Sequence, residues 1–378
     1  MIVKNAQVYN TKEHKFEAKD VYVEDGLFSP NATGEVVDAK GCYMVPGFID
    51  VHTHGGNNID MNHISKENFK ELSSFFASQG TTSFLASVLT DTEENTLRLM
   101  DILSGLVGKN EVGAECVGVH LEGPFISFEY KGAMPEDLLR DPDIDLIRRY
   151  QEASKGNVRY LTLAPELNGA IELIKAFKEE FPIAIGHSAA EYDVAMDSIK
   201  AGAEACTHTH NAMKLFHMHR PAITGAVLES DVYCEAICDG FHLHPATVRL
   251  MLKMKGYDKV VAITDSIMAS GLPDGYYYLG KDKVKVIEGD AQLLNGVRAG
   301  STLTTGKALK NIIKMTGAPL EKVLPLLTEN PARLIRIFDK KGSIENGKAA
   351  DFLLLDKDLN IISTYVGGEK RYNGGVGC

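Results

Sequence analysis

The sequence predicts an α/β fold, a (β/α)8 TIM-like barrel with a small β-sandwich domain built from both chain ends. Two observations carry this prediction. Short apolar runs alternate with helix-length amphipathic runs through the middle of the 378-residue chain, and strand-like runs without helical periodicity lie at both ends. Alternating βα units indicate parallel strands covered by helices. Terminal strand groups that are too small to fold alone are expected to pair with each other.

The small domain is predicted over residues 1–46 together with 345–378. In its first part Ile2 to Tyr9 and Val21 to Glu24 are strand-like, and Asp25-Gly26 is a hairpin turn signal. Its second part contains two strand-like runs, Ala350 to Leu355 and Ile361 to Val366. The barrel is then inserted between these parts, over residues 47–344.

Within the barrel region we predict eight strands with helices between them. Because barrel enzymes place their functional groups at the carboxyl ends of the strands, the residues after each run are the candidate functional residues. The runs are Phe48 to His52, Thr82 to Val88, Cys116 to Leu121, Tyr160 to Ala164, Pro182 to Gly186, Ala203 to Thr207, Tyr233 to Cys238 and Lys259 to Thr264.

Composition indicates a soluble protein of the cytoplasm. The hydrophobic content of 44% and charged content of 24% are ordinary for a globular protein. A net charge of −11 argues against nucleic acid or an anionic membrane as a partner. The six cysteines form no CxxC pair, which favours free thiols in a reducing compartment. No signal peptide or membrane span is recognisable.

The first predicted strand ends in a histidine pair, His52 and His54. Side chains two residues apart on a strand share a face, so both imidazoles can bind one metal ion. Gly55 and Gly56 then allow a sharp turn. A chance pair would be the better interpretation if no other strand ended in such residues.

Five further strand ends carry imidazoles or carboxylates. Clustered groups of this kind cost free energy without a cation or a substrate, so their convergence favours a catalytic metal centre. Nitrogen and oxygen ligands suit zinc, iron, cobalt or manganese. The residues are His120 and Glu122, His187, His208 and His210, His242, and Asp265.

Asp265 follows the last strand and is the predicted proton shuttle. A carboxylate there can take a proton from water and pass it to a leaving group. Its alternative role is to orient a histidine by accepting a hydrogen bond.

At these positions the chain resembles the N-acetylglucosamine-6-phosphate deacetylase family of the amidohydrolase superfamily. The ordered set of motifs is specific, although single motifs are not, and the resemblance covers nearly the whole chain. The motifs are Pro46 to Gly56, His120 to Phe125, Lys131-Gly132-Ala133, Leu163 to Glu166, Gly186-His187-Ser188, Thr207-His208, Asn211-Ala212-Met213, Asp239 to His242 and Ile263-Thr264-Asp265.

The resemblance implies a homodimeric, metal-dependent hydrolase that releases acetate from N-acetylglucosamine 6-phosphate, an amino-sugar phosphate. It implies that Glu122, His187 and His208 hold the principal metal ion and that Asp265 is the catalytic aspartate. Some family members hold a second ion through the pair that matches His52 and His54. One or two divalent ions are therefore expected, of zinc, iron, manganese or cobalt.

The resemblance also implies a set of substrate-binding residues, with three departures from the family pattern. Met134 stands where the family donates a hydrogen bond to the acetyl carbonyl. His210 replaces an aromatic residue and is our candidate for the missing donor. The family's phosphate-binding arginine aligns with His219, and Arg220 lies one step later. The full predicted set is Ala133, Met134, His210, Asn211, Ala212, His219, Arg220, His242, Ala299, Gly300 and Ser301.

Two alternatives to this deacetylase remain open at the level of sequence. The departures at Met134 and Arg220 would favour a deacetylase of another N-acetyl hexosamine phosphate or of an N-acyl compound. They also suggest a non-catalytic sugar-phosphate binding protein. The complete ligand set and Asp265 argue against that second alternative, because a mere binder has no chemical need for them.

Overall fold

The computed structural model describes residues 1–109 and 111–375. Its central feature is an eight-stranded parallel sheet in which the strands pair in chain order. The strands are β1 (Phe48–Thr53), β2 (Thr81–Leu89), β3 (Glu115–Glu122), β4 (Val158–Leu163), β5 (Ile183–Ile185), β6 (Ala205–Cys206), β7 (Tyr233–Ile237) and β8 (Val260–Ile263). All eight predicted strands are confirmed, with small shifts at their ends.

The residues that follow β8 bring the last strand against the first. The backbone N–H of Asp265 donates to the carbonyl of His52 at 2.9 Å, and the Thr264 hydroxyl donates to the buried Asp50 carboxylate at 2.6 Å. Ser266 then pairs with Thr53 in a parallel bridge. These contacts place the carboxyl ends of β1 and β8 side by side.

Helices cover the outside of this sheet, and most of them pack on it with one apolar face. The first helix buries Phe69, Leu72 and Phe76, and the Phe76 ring packs against Phe84 of β2 with ring centroids 4.8 Å apart. The α-helices are Asn68–Ser78, Glu93–Ser104, Ile144–Ala153, Ala170–Phe177, Tyr192–Ala201, Ala222–Glu229, Pro245–Lys255, Thr305–Thr316, Leu320–Val323 and Glu329–Leu334.

Both chain ends contribute to a second sheet of eight strands. Phe352–Leu355 pairs antiparallel with Tyr43–Pro46, which joins the two ends. The other strands are Ile2–Asn10, Lys15–Glu24, Leu27–Ser29, Val36–Asp38, Ile361–Val366 and Glu369–Asn373. The predicted fold class is therefore confirmed, whereas the domain boundaries at 46 and 345 stay a prediction. Residues 376–378 of the predicted small domain lie outside the described residues.

A three-stranded antiparallel sheet follows β8 and was not predicted. Its strands are Gly275–Leu279, Asp282–Ile287 and Asp290–Leu293. The segment after it, residues 295–300, lines the cavity at the mouth of the barrel. This insertion therefore adds a wall to the site that barrel strands alone would not supply.

None of the described helices is both long and apolar enough to cross a membrane. Four cysteines, Cys116, Cys206, Cys234 and Cys238, are buried free thiols as expected. Cys42 is not a free thiol, so the expectation is wrong there. Cys378 lies outside the described residues.

Candidate active site

Six buried side chains at the carboxyl ends of five barrel strands form two groups, each able to hold a metal ion. One group, the first cluster, consists of Glu122, His187 and His208, and the other, the second cluster, consists of His52, His54 and Asp265. Within each group the ligand atoms lie within 4.8 Å of one another. Parallel strands bring these residues together because their carboxyl ends share one mouth of the barrel.

Glu122 links the two clusters. Its Oε1 lies 3.2 Å from Nε2 of His187 and 3.2 Å from Nε2 of His208. The same oxygen is 3.4 Å from Nε2 of His52, and Oε2 is 3.1 Å from Nε2 of His54. Burial raises the pKa of the Glu122 carboxyl, but the surrounding imidazoles hold it well below its ordinary value. Glu122 is therefore a carboxylate that both clusters share.

Three of the four imidazoles are oriented by a hydrogen bond at Nδ1. His54 faces the carbonyl of Ser87 at 3.1 Å, and His187 faces the carbonyl of Tyr130 at 2.7 Å. His52 faces the carboxylate of Glu235 at 3.1 Å. Because these oxygens only accept, each Nδ1 carries the hydrogen and each Nε2 is left as a potential metal ligand.

This arrangement fits a divalent cation. Nε2 of His52 and Nε2 of His54 lie 3.1 Å apart, and as neutral imidazoles with Nδ1–H they turn lone pairs toward each other. Such a contact requires a shared cation or an added proton. Burial alone would lower the pKa of His54, but Asp265 and Glu122 raise it to about 9. The site therefore stabilises positive charge, as the metal prediction requires.

Three cluster residues have positive φ angles, which are unusual for residues other than glycine. The φ angles are 45° at His187, 26° at His208 and 50° at Asp265. L residues rarely adopt such positive angles, and residues that do so concentrate at functional sites. Gly55, directly after His54, has φ of 147°, and a Cβ there would lie 2.1 Å from the Ile59 carbonyl oxygen. The sharp turn predicted after the histidine pair therefore requires glycine.

Both clusters open into one cavity of about 570 Å³ at the barrel mouth. Residues of the predicted substrate set line it: Ala133, Met134, Asn211, Ala212, His242, Ala299 and Gly300. The His242 ring is oriented by Asp239, with Nδ1 2.6 Å from the carboxylate. Met134 is buried among apolar neighbours that include Leu89 and Leu279.

Four other residues of the predicted set do not line this cavity. His219 and Arg220 are exposed, and His210 is half-buried, where burial lowers the pKa of its imidazole. Ser301 is buried and supports the end of β8, because its hydroxyl donates to the Thr264 carbonyl at 2.6 Å. His210 is therefore not among the residues that line the cavity, and its role as the missing carbonyl donor stays a prediction.

Sequence reasoning did not identify three charged residues near the site. Lys131 and Arg298 line the cavity, and Glu235 supports His52 from below. Lys131 stood in a recognised motif without an assigned role, and Arg298 directly precedes the predicted Ala299 segment. The only signal for Glu235 was a carboxylate inside an otherwise apolar strand.

A nearly closed parallel barrel with histidines and carboxylates at its strand ends is typical of the class of metal-dependent barrel hydrolases. The sequence matches the model of the Amidohydrolase family over residues 43–371. The chain therefore belongs to the amidohydrolase family.

Relatives within this family are deacetylases of amino-sugar phosphates. N-acetylglucosamine-6-phosphate deacetylase of Bacillus subtilis is 37% identical, covering 86% of this chain and 83% of the relative. N-acetylgalactosamine-6-phosphate deacetylase of Escherichia coli O157:H7 is 30% identical, covering 86% and 87%.

Two solved structures are similar over almost their whole length. N-acetylglucosamine-6-phosphate deacetylase of Thermotoga maritima has a TM-score of 0.89 and 33% identity, covering 99% of this chain and 100% of that one. A variant of the Mycobacterium smegmatis enzyme, in complex with N-acetyl-D-glucosamine-6-phosphate, has a TM-score of 0.92 and 29% identity, covering 99% of each chain.

Proposed function

We propose that this chain is a metal-dependent deacetylase that hydrolyses N-acetylglucosamine 6-phosphate to glucosamine 6-phosphate and acetate. The observation that carries the proposal is the Glu122 carboxylate, which lies within 3.4 Å of four imidazole nitrogens that belong to both clusters. The deacetylases that resemble this chain over most of its length support the substrate.

The residues Glu122, His187 and His208 would hold the principal ion, and His52 and His54 a second one. When bound, a divalent ion supplies a Lewis acid that polarises the amide carbonyl and lowers the pKa of a water molecule to about 7. Zinc, iron, manganese and cobalt all suit this donor set.

Asp265 moves the proton. Burial raises the pKa of its carboxyl, but the neighbouring His54 and His52 hold it below the ordinary value, so the group starts as a base. It accepts a proton as the C–O bond to water forms, and it returns that proton to the amide nitrogen as the C–N bond breaks. The second proton of the water also ends on the nitrogen, so the products are acetate and the protonated amine.

The phosphate of the substrate would lie near Lys131, His242 and Arg298 at the mouth. All three line the cavity within one chain, and a charged donor such as lysine or arginine binds phosphate strongly. His219 and Arg220 are exposed on a neighbouring loop and would reach a substrate from a second copy. This reach is our reason to propose a homodimer.

A second candidate substrate is N-acetylgalactosamine 6-phosphate. The similarity to the Escherichia coli deacetylase of that sugar is the observation that favours it. The two sugars differ in the configuration of one hydroxyl, and a discrimination of this kind depends on single hydrogen bonds in the cavity.

Acetate release after reconstitution with each metal tests the proposal. We expect rapid release from N-acetylglucosamine 6-phosphate, slower release from the galacto isomer, and much weaker activity on N-acetylglucosamine without phosphate. Chelation should abolish turnover, and restored metal should recover it. A double variant, Glu122→Gln with His187→Asn, should lose metal and activity together. Stoichiometric metal in that variant, or a preference for the sugar without phosphate, would contradict the proposal.

A further inference from the structure

Glu235 is a fully buried carboxylate inside the barrel, beneath the two clusters. It lies in the middle of β7, it is 0% exposed, and it belongs to neither cluster and does not line the cavity. A buried carboxylate is tolerated only when its hydrogen bonds offset the free energy that it loses by leaving water. Its partners therefore indicate what it does.

One oxygen of Glu235 contacts a member of each cluster. Oε2 lies 3.1 Å from Nδ1 of His52 and accepts the backbone N–H of His208 at 3.0 Å. The first contact fixes His52 with its hydrogen on Nδ1. Its Nε2 then faces Nε2 of His54 at 3.1 Å and Oδ1 of Asp265 at 3.6 Å.

The second contact matters because His208 lacks the support that the other imidazoles have. Nδ1 of His208 is buried and has no hydrogen-bond partner among the described residues. Its position therefore depends on its backbone, which has a φ of only 26°. The hydrogen bond from its N–H to Glu235 holds that backbone in place.

Tyr160 fixes the rotation of the carboxylate. Its hydroxyl donates to Oε1 of Glu235 at 2.7 Å, and both side chains are fully buried. With Oε1 occupied by Tyr160, Oε2 is directed at His52 and His208. The three donors leave the carboxylate no freedom to turn away.

We propose that Glu235 is a positioning residue that joins the two clusters into one binuclear centre. It holds His52 in the tautomer that presents Nε2 to a metal ion, and through the same oxygen it fixes the backbone of His208. The inference rests on the metal dependence in the proposed function and is independent of the substrate. If Glu235 only occupied space in the core, an apolar residue of similar volume could replace it.

Metal binding distinguishes a positioning role of Glu235 from a role in packing alone. Metal content and affinity are measured by elemental analysis and by zinc titration of the chelated full chain, for wild type, Glu235→Leu and Glu235→Gln. Wild type should bind two equivalents. Glu235→Leu removes every acceptor, so we expect the affinity for the second equivalent to fall by at least 10–100-fold, the usual range for loss of a supporting group. Glu235→Gln keeps an oxygen that can face His52 and His208, and should recover part of that loss.

Asp60→Asn is the control. Asp60 is also a buried carboxylate, but its side chain accepts the backbone N–H groups of Asn62 and Gly280, and neither of these residues belongs to a cluster. We expect that variant to retain two equivalents.

The proposal is overturned if wild type binds one equivalent at saturating zinc, or if Glu235→Leu binds two with unchanged affinity. Should the leucine variant not fold, wild-type affinity in Glu235→Gln would overturn it equally. Acetate release is assayed separately, so a wrong substrate would leave these metal measurements unaffected.

Discussion

Asp265 combines the two features that a proton shuttle needs, access to the cavity and a basic form held by its neighbours. Its carboxylate lines the cavity and lies 3.2 Å from Nε2 of His54. We expect Asp265→Asn to lower kcat by about two to four powers of ten, because the amide cannot accept the proton of the attacking water. Glu122, His187 and His208 remain, so elemental analysis should still find at least one metal equivalent. Near-normal turnover in that variant would rule the role out.

A second prediction concerns Met134 and His210. A thioether offers no hydrogen to an oxyanion, and His210, our candidate to replace it, does not line the cavity. We therefore expect His210→Phe to leave kcat nearly unchanged, far from the 10²–10³-fold loss, about 2.7–4 kcal/mol, that follows removal of an oxyanion donor.

Met134→His completes that test. If the wild type lacks a carbonyl donor, the new imidazole should raise kcat for the acetyl substrate, and the gain should not depend on residue 210. A hundredfold loss in His210→Phe that Met134→His repairs would instead establish compensation between the two positions.

The segment that follows β4 is hydrogen-bonded to the segment that follows β5. Glu166, which follows β4, accepts the Ser188 hydroxyl and the Ala189 backbone N–H, both at 2.6 Å. These bonds hold the residues directly after His187, which gives Glu166 a structural role.

We expect Glu166→Ala to lower the free energy of unfolding by about 1–3 kcal/mol, because it leaves a partly buried N–H without its charged acceptor. Glu166→Gln should lose less, since its amide oxygen can still accept one of the two bonds. Thermal or denaturant unfolding of the metal-free chain measures both. An unchanged midpoint in the alanine variant would show that the segment is held by other contacts.

The strand ends were predictable from sequence, whereas the support beneath them was not. His52, His187 and Asp265 each follow an apolar run, and parallel strands bring such positions to one mouth whatever the details of packing. Glu235 lies within its strand, and a single carboxylate there gives no sign of the three residues that its side chain contacts. Arg298 reaches the cavity because an inserted sheet determines the path of its loop. The alternating pattern of Asp282–Ile287 indicates a strand, but it does not indicate where the following loop lies.

The buried cation Lys341 connects the barrel to the sheet formed by the two chain ends. Nζ of Lys341 lies 2.8 Å from Glu115, at the start of β3, and 2.5 Å from Asp351, which precedes the strand Phe352–Leu355. Asp351 also accepts the backbone N–H of Gly367 in the turn before Glu369–Asn373. Charges of Asp351 and Glu115 raise the pKa of Lys341, although burial opposes this. The contact lies at the amino end of β3, and Glu122 lies at its other end.

Lys341→Met should therefore destabilise the chain without disabling the site. Removing the cation leaves Asp351 buried without its partner, which typically costs about 3–5 kcal/mol, while kcat per folded molecule should remain near that of wild type. Adding Asp351→Asn should recover part of the stability, because the unpaired buried charge is removed as well.

Lys12→Met, which breaks an exposed pair with Glu345, is the control and should change the unfolding midpoint little. Denaturant unfolding and acetate release of the three variants and the wild type check this together. If Lys341→Met unfolds like Lys12→Met, the buried cation does not stabilise the junction between the two sheets.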